Sequence, residues 1–242
     1  MTEPIPAPPW QTPKKPPPRQ PLSQDLIVQV ALRILDAEGL DALSMRRLAQ
    51  ELETGPASLY AHVANKDELL DLVYDTVLSE VEIPVPDPDR WPEQVKEYLR
   101  SLRTVFRSHR DLARVSISRI PLGPNGVVGM ERTMALMRAG GLPDDIAAYA
   151  GDLLASFVTT ETLDDAFPAG GTDPATPRAY AAQIRSYLTS LPVDRFPNLV
   201  HMAGPITSLD SERRFELGME IIVRGLSTYA RPAGQDSSAG SG

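Results

Sequence analysis

Segment 48–66, LAQELETGPASLYAHVANK, is the feature that most limits what this chain can fold into. Leu48 and Leu52 have the spacing of the inner face of a helix. Leu59 and Val63 repeat that spacing beyond a Gly-Pro pair that interrupts the first helix. Two helices joined by so short a turn form a helix-turn-helix, whose second helix enters the DNA major groove. The segment therefore predicts a DNA-binding unit that the rest of the chain controls.

Capping residues mark where the helices of this unit begin. Ser23 and Ser44 stand immediately before apolar residues at helical spacing, as N-caps do. Pro56 is suited to the first position of the third helix, which is predicted to cover residues 56–64. Asn65 and Glu68 have the three-residue spacing of a capping box at the start of a fourth helix.

The fold class predicted for the whole chain is all-α, with an N-terminal three-helix domain and a larger C-terminal helical domain. Apolar residues recur at helical spacing and no stretch alternates as a strand does. Further helices are predicted at 92–109, 112–118, 126–139, 144–165, 178–191 and 211–229, with a loop at 168–177. The predicted units are a disordered proline-rich arm (1–21), a helix-turn-helix domain (22–68), an effector-binding and dimerisation domain (69–231) and a flexible tail (232–242).

The charge of the chain is distributed in an unexpected way for a DNA-binding protein. The net charge is −8, and residues 22–82 alone hold four basic and twelve acidic side chains. Nonspecific attraction to DNA depends on basic side chains, so this balance argues against a general nucleic-acid binder and weakens nonspecific affinity. Specific binding requires Arg46, Arg47 and Lys66 to collect on the DNA face while the acids lie elsewhere.

Composition limits the remaining chemistry. The chain has no cysteine, which excludes disulfides and thiolate zinc sites. Its three histidines form no pair at metal-ligand spacing, so neither a metal site nor a cofactor is predicted. No signal-peptide core and no apolar stretch long enough to span a membrane is present, so we expect a cytoplasmic protein without a membrane partner.

The outward face of the predicted third helix is suited to close contact with DNA. Ala57 and Ser58 are small, which permits close approach to the floor of a groove. Ser58, Tyr60 and His62 can donate hydrogen bonds to phosphates or base edges. The alternative is that Tyr60 is a core aromatic with no role in binding.

The neighbouring helices add phosphate and base contacts to this face. Arg46 can reach a guanine edge or a phosphate, and Lys66 can hold a phosphate as a point charge. The backbone amides that follow Ser44 can bind another phosphate. The alternative is that Ser44 and Asn65 act only as helix caps.

Residues 44–70, SMRRLAQELETGPASLYAHVANKDELL, resemble the DNA-binding domain of the TetR/AcrR repressors. The elements LA..L, SLY.HV and NK.ELL all stand in register within one contiguous block, and the resemblance extends over about 23–82. It implies that Arg46 and Ser58 contact bases or nearby phosphates. It also implies that Tyr60, His62 and Lys66 anchor the DNA backbone. The full set of predicted DNA contacts is Ser44, Arg46, Arg47, Ala57, Ser58, Tyr60, His62 and Lys66.

The second half resembles the C-terminal domain of the tetracycline-repressor branch of that family. The resemblance rests on Trp91 and on the segments RIPLGP (119–124), AGGL (139–142) and FELGMEIIVRGL (215–226). It implies a homodimer joined through a four-helix bundle that includes the last helix. The uncharged run LLASFVTT independently allows such an interface, because it needs cover on more than one side. A monomer that uses the same apolar stripes as its core remains the alternative.

A ligand pocket is predicted inside the C-terminal helices, where helical bundles bind small molecules. Methionines at helical spacing suit an adaptable apolar cavity, although such a stripe is also typical of plain core. Ser116 stands where the tetracycline repressor has a histidine that helps to bind magnesium, so tetracycline is not the predicted effector. The predicted effector-binding residues are Arg103, Phe106, His109, Ser116, Met130, Met134, Met137, Phe157, Thr160 and Glu161.

These features together predict a one-component transcriptional repressor. A small, largely apolar effector would release the dimer from a pseudo-palindromic operator. Two other classes of protein are alternatives to this interpretation. An all-α enzyme would need a Ser/His/Asp set, a carboxylate pair or a phosphate-binding glycine loop, none of which the sequence supplies. An effector-blind DNA-binding protein would need neither so large a C-terminal part nor so acidic a balance.

Overall fold

The computed structural model describes residues 21–117, 119–166, 177–208 and 210–230, and within these ranges every regular element is helical. A single 3₁₀ turn, Pro88–Arg90, precedes the fifth helix. The helices are α1 Gln24–Glu38, α2 Met45–Glu51, α3 Pro56–Leu59, α4 Lys66–Leu78, α5 Trp91–Ser108, α6 Leu112–Ser116, α7 Pro124–Ala139, α8 Asp144–Ala166, α9 Pro177–Thr189, α10 Pro197–His201, α11 Ala203–Ile206 and α12 Ser211–Ser227. The all-α prediction is confirmed.

Capping side chains begin the helices where the sequence places them. The Ser23 hydroxyl accepts a hydrogen bond from the Leu26 amide at 3.2 Å, and the Ser44 hydroxyl accepts one from the Arg47 amide at 3.1 Å. The Asn65 side chain accepts from the Glu68 amide at 2.8 Å. Each such cap satisfies an amide that has no partner inside its helix and stabilises the helix by about 1 kcal/mol.

The N-terminal helices enclose a small core of their own. Side chains of α1, α2, α3 and the first half of α4 are fully buried against one another, and they include Ile27, Leu35, Leu48, Leu59, Leu69 and Val73. Leu59 anchors α3 to this core, so the opposite side of α3 faces outward. The inward positions predicted for Leu48, Leu59 and Val63 are confirmed.

A second core lies between α5, α7, α8 and α12, and Phe215 of α12 is at its centre. The Phe157 ring of α8 stacks on Phe215 with ring centroids 5.4 Å apart. The Arg103 guanidinium lies 4.3 Å from the centre of the Phe215 ring and donates a hydrogen bond to the Glu212 carboxylate. α4 belongs to both cores, because Val77 packs in this one and Val73 in the N-terminal one.

Two predicted boundaries differ from the observed ones. α3 is a single α-helical turn, Pro56–Leu59, and not the helix over 56–64 that the spacing predicts. Residues 60–62 form a turn, because Val63 is buried and Asn65, two residues later, has an extended backbone with φ of −162°. The amides of His62 and Val63 still donate to the Leu59 carbonyl at 2.9 and 3.0 Å, so the helical path is kept.

Other parts of the chain were not predicted or cannot be compared. Segment 197–206 forms the short helices α10 and α11, which were not predicted because its prolines interrupt the helical pattern. The predicted arm, loop and tail lie outside the described residues, apart from single positions at their edges. The predicted domain boundary after residue 68 stays a prediction.

The two domains meet where the α1–α2 connection touches the α5–α6 connection. His109 lies between two carboxylates, with Nδ1 3.0 Å from Asp36 of α1 and Nε2 3.2 Å from Glu80 beyond α4. The Asp111 carboxylate accepts from the Leu40 amide at 2.9 Å. Burial by itself lowers the pKa of His109, but the hydrogen bonds with Glu80 and Asp36 outweigh it and raise that pKa above 6.5.

The raised pKa of His109 gives the stability of the protein a predictable pH dependence. A group whose pKa is raised by folding contributes its full stabilisation below its unfolded-state pKa and loses it as the pH rises through the folded-state pKa. Between about pH 6 and about pH 8, the free energy of unfolding of the wild type should therefore fall more steeply than that of His109→Gln. Urea unfolding at fixed protein concentration measures both slopes, and parallel slopes would contradict the role given to His109.

Candidate DNA-reading surface and effector cavity

The outward face of α3 is open to solvent. Ala57 and Ser58 are exposed and Leu59 is buried, as the one-sided pattern of the helix requires. The Tyr60 side chain is 52% exposed, so the alternative that it is a core aromatic is wrong. His62 is half-buried, and its carbonyl accepts from the Gln24 side chain at 3.1 Å. The turn thus presents small and hydrogen-bonding groups at the surface.

The basic side chains near this surface are not equivalent. Arg46 of α2 is exposed. Arg47 forms ion pairs with Glu38 at 2.6 Å and Glu51 at 2.8 Å, and the hydrogen bonds that it donates to these two carboxylates raise its pKa. Lys66 is half-buried, with its ammonium 3.4 Å from the Leu40 carbonyl. Of the predicted basic contacts, Arg46 is thus exposed while Arg47 is held by the protein's own acids.

Several acids of the N-terminal part pair with basic groups of the C-terminal domain or with Arg47, which reduces the difficulty that the charge balance raised. Each of several carboxylates on α1, α4 and the α1–α2 connection pairs with a basic group beyond residue 100. These pairs are Asp36–His109, Asp41–Arg114, Asp67–Arg119 and Asp71–Arg119. These carboxylates therefore join the N-terminal helices to the C-terminal domain.

A cavity of about 290 Å³ lies between α4, α5, α7 and α8 and is closed on one side by the α6–α7 connection. Its walls are mostly apolar. Small residues of α7 and α8 leave the space open, and aromatic and aliphatic side chains of α4 and α5 face them. The lining includes Leu78, Leu102, Gly129, Met130, Gly151 and Ala155. An apolar cavity between helices, with few polar groups, is a typical small-molecule site.

A few polar side chains can orient a ligand in this cavity. Burial, and to a lesser degree Tyr98, raises the pKa of Tyr74 to about 12. Burial also raises the pKa of Tyr98, although a hydrogen bond with Thr133 acts in the opposite sense. Both phenols therefore stay protonated and can donate hydrogen bonds. Arg119 and Asp152 add one charge of each sign to the lining.

The structure brings three of the ten predicted effector-binding residues to this cavity: Phe106, Met130 and Met134. The methionine stripe is divided, because Met137 is fully buried in the core while Met130 is 41% exposed. Helical spacing identifies the inner face of α7, but it cannot tell which part of that face meets a void. That difference depends on which side chains the neighbouring helices supply.

The other predicted effector-binding residues lie elsewhere. Arg103 is buried and paired with Glu212, and His109 bridges the domains beside a second, more polar cavity. The remaining four lie on α6 and α8: Ser116 donates to the Ala113 carbonyl, Phe157 stacks on Phe215, Thr160 is exposed, and Glu161 is 3.7 Å from Arg214. Their assignment to the effector stays a prediction, which the position of the apolar cavity between α4, α5, α7 and α8 does not support.

The sequence did not identify Tyr74, Tyr98, Arg119 and Asp152 as cavity residues. Glycine inside a helix gave a usable signal, because it costs about 1 kcal/mol of helix stability relative to alanine and needs a reason to be there. At Gly129 the reason is open space, because the nearest atom that a Cβ there would meet is in the Ile83 side chain, 4.0 Å away. Gly129 therefore marks open space beside α7.

Two features are absent from the described part of the chain. No group of three or more His, Asp or Glu side chains there could hold a metal ion. None of its helices is both long and apolar enough to cross a membrane. The described residues likewise place no nucleophile beside a general base in the cavity.

An exposed helix-turn-helix joined to a helical domain with an apolar cavity defines a class, the ligand-responsive DNA-binding regulators. Residues 27–73 match the family described as bacterial regulatory proteins, tetR family, and residues 83–230 match the tetracycline repressor-like C-terminal domain. The chain therefore belongs to the TetR family of transcriptional regulators. The predicted fold, family and DNA-binding function are confirmed, and the enzyme alternative is wrong.

Relatives of known name agree with this assignment. The transcriptional repressor DrrR1 of Streptomyces coeruleorubidus is 33% identical over 226 residues, which cover 90% of this chain and 82% of the relative. The crystal structure of the Streptomyces coelicolor TetR family protein ActR in complex with actinorhodin has 66% identity and a TM-score of 0.82, and the match covers 88% of this chain and 99% of ActR. ActR in complex with (S)-DNPA matches with a TM-score of 0.80 over 87% of this chain and 100% of ActR.

Regulators of this family function as dimers that bind operator DNA and respond to small molecules. The structure offers a surface for the dimer, because α12 carries exposed apolar side chains on the side opposite its core stripe. These are Leu217 and Ile221, and Tyr149 of α8 is exposed as well. The alternatives of a monomer and of an effector-blind protein are therefore set aside.

The exposure of Arg46 yields a direct test of the DNA surface. Arg46→Ala should weaken operator binding by about 1–3 kcal/mol, because one guanidinium contact to a base or phosphate is lost. Arg138→Ala is the matched control, since it removes an exposed arginine from α7 in the other domain and should leave affinity unchanged. A titration by fluorescence anisotropy at fixed salt measures both. Equal affinities for the two variants would remove Arg46 from the interface.

Proposed function

We propose that this protein is a repressor whose cavity binds an effector of the kind that ActR binds, actinorhodin or (S)-DNPA, and that effector binding releases the operator. The observation that carries the proposal is the apolar cavity between α4, α5, α7 and α8. Support comes from the 66% identity with ActR, which has been crystallised with both compounds.

The cavity chemistry favours a compact ligand with rings and a few oxygen atoms. Its volume of about 290 Å³ is at the lower end of the range of about 300–1,000 Å³ typical of ligand pockets. Phe106 and the two tyrosines offer aromatic faces and edges to stack against. The hydroxyl groups of Tyr74 and Tyr98 can donate to ligand oxygens, and Arg119 can pair with an acidic group of the ligand.

The helix α4 supplies the mechanical link between effector and operator. Tyr74 and Leu78 line the cavity, whereas Leu69 and Val73 of the same helix pack in the core beneath α3. A ligand that displaces the cavity end of α4 therefore moves the DNA-reading surface with it. In a dimer, that movement changes the separation of the two α3 turns and their match to the two half-sites of a pseudo-palindromic operator. The effector must bind the released state more tightly for this coupling to exist.

At the operator we assign base or phosphate contacts to the exposed side of α2 and α3 and to the start of α4. The proposed contacts are Ser44, Arg46, Ala57, Ser58, Tyr60, His62 and Lys66, with Arg47 positioning α2 through its acids. The division into a helix-turn-helix domain (22–68) and an effector and dimerisation domain (69–231) belongs to the same proposal. Because chromosomal operators lie in the bacterial cytoplasm, we place the protein there.

Direct binding tests the proposed effector. Isothermal titration of the full-length protein with (S)-DNPA and with actinorhodin should give saturable binding of one effector per cavity. Addition of the same compound should dissociate the protein from a duplex selected by the wild type out of a random pool. The proposal fails if neither compound binds, or if a bound compound leaves the protein–DNA complex intact.

A pair of substitutions at Gly129 locates the effector in this cavity. Gly129→Leu should weaken effector binding by more than about tenfold, because its side chain would occupy apolar space that the ligand needs. Gly129→Ala is the control, since a single methyl group fits there and should change affinity little. Both variants should bind the operator as the wild type does. Wild-type effector affinity in Gly129→Leu would mean that the effector binds elsewhere.

A further inference from the structure

The carboxylate of Asp75 joins α4 to the first turn of α7. Asp75 lies in the second half of α4 and is almost fully buried. Its oxygen atoms accept hydrogen bonds from the Gly126 amide at 2.8 Å, the Asn125 side chain at 3.1 Å and the Asn125 amide at 3.4 Å. A carboxylate at this place complements the unpaired amides and the partial positive charge of a helix N-terminus.

α7 is built to receive this carboxylate from another helix. Its own N-cap position is Gly123, which supplies no capping side chain. A Cβ at Gly123 would lie 2.3 Å from Cγ of Asp75, so a larger residue would push the carboxylate out. The amides of α7 therefore have no local cap and depend on α4 for one.

This contact lies between the effector cavity and the DNA-reading surface. Tyr74 is adjacent to Asp75 in α4 and lines the cavity, and Gly126, whose amide Asp75 binds, lines it from α7. Val73, two residues earlier, is fully buried in the core beneath α3. Any ligand that parts α4 from α7 must strain the hydrogen bonds of Asp75, because they are the polar link across that wall of the cavity.

We propose that Asp75 is the positioning residue that fixes α4 against α7 and thereby sets the separation of the two DNA-reading surfaces in the dimer. With the contact intact, α4 holds α3 in the arrangement that binds the operator. When the contact is lost, α4 and the α3 turn move as they do upon effector binding. The role of the cavity in this inference rests on the proposed function, whereas the effect of Asp75 on α4 does not.

The test measures the separation of the reading surfaces directly. The chain has no cysteine, so Gln50→Cys on the exposed side of α2 gives one spin label per subunit of the full-length dimer. Asp75→Asn replaces one accepting carboxylate oxygen by an NH₂ group. That group cannot accept the hydrogen bonds that the Asn125 side chain and backbone amide donate. Glu131→Gln makes the same chemical change at an exposed acid of α7 and is the control.

We expect Asp75→Asn to shift or broaden the label-to-label distance distribution and to weaken binding to the selected duplex by about tenfold, while Glu131→Gln matches the wild type. A merely stabilising role would lower the melting temperature but leave the distances in the folded dimer unchanged, and that result would overturn the proposal. If Asp75→Asn does not fold, Asn125→Ala, which removes only the bond from that side chain, is measured for the same two outcomes.

Addition of (S)-DNPA to the labelled wild type separates this inference from the proposed function. If both hold, the compound shifts the distances in the same direction as Asp75→Asn. If the wild type does not bind the compound, the proposed effector is wrong, and the role of Asp75 is still decided by the distances measured without it.

Discussion

The structure depends on α4 belonging to two hydrophobic cores at once. Leu69, Leu70 and Val73 complete the core of the helix-turn-helix, and Val77 enters the core of the C-terminal domain. Because packed interiors resist small displacements, a helix shared in this way cannot shift at one end and stay in place at the other. The DNA-reading surface and the cavity are therefore mechanically connected by ordinary side-chain packing.

Electrostatics reinforce that connection and explain the unusual charge of the N-terminal part. An acidic DNA-binding domain is unfavourable only if its acids face DNA, and several of its acids here pair with basic groups of the other domain. His109 and Arg119 collect several of these carboxylates, and Arg47 holds two more. Such exposed pairs each stabilise the protein little, but together they help to fix the orientation of the two domains.

Where the sequence predicted well, the signal was local. Caps at Ser23, Ser44 and Asn65 start helices because a side chain three residues away from an amide can reach it in any fold. The inward positions of Leu48 and Leu59 follow from helical spacing alone. The proposed DNA contacts also lie within one short segment, and the exposure of Ala57, Ser58 and Tyr60 follows from the same local pattern that buries Leu59.

The cavity was the part that only the tertiary structure decided. Met130 and Met137 share one face of α7, yet the first borders the cavity and the second is core, because α4 and α8 oppose them with different side chains. In the sequence, Asp75 is indistinguishable from a solvent-exposed acid of a helix. Its proposed role depends on the hydrogen bond from the amide of Gly126, in a helix that starts about fifty residues later. The sequence by itself determined the helices, their inner faces and the DNA-binding motif, since these depend on neighbours along the chain. The tertiary structure decided the cavity and the link between domains, since these depend on which helices meet.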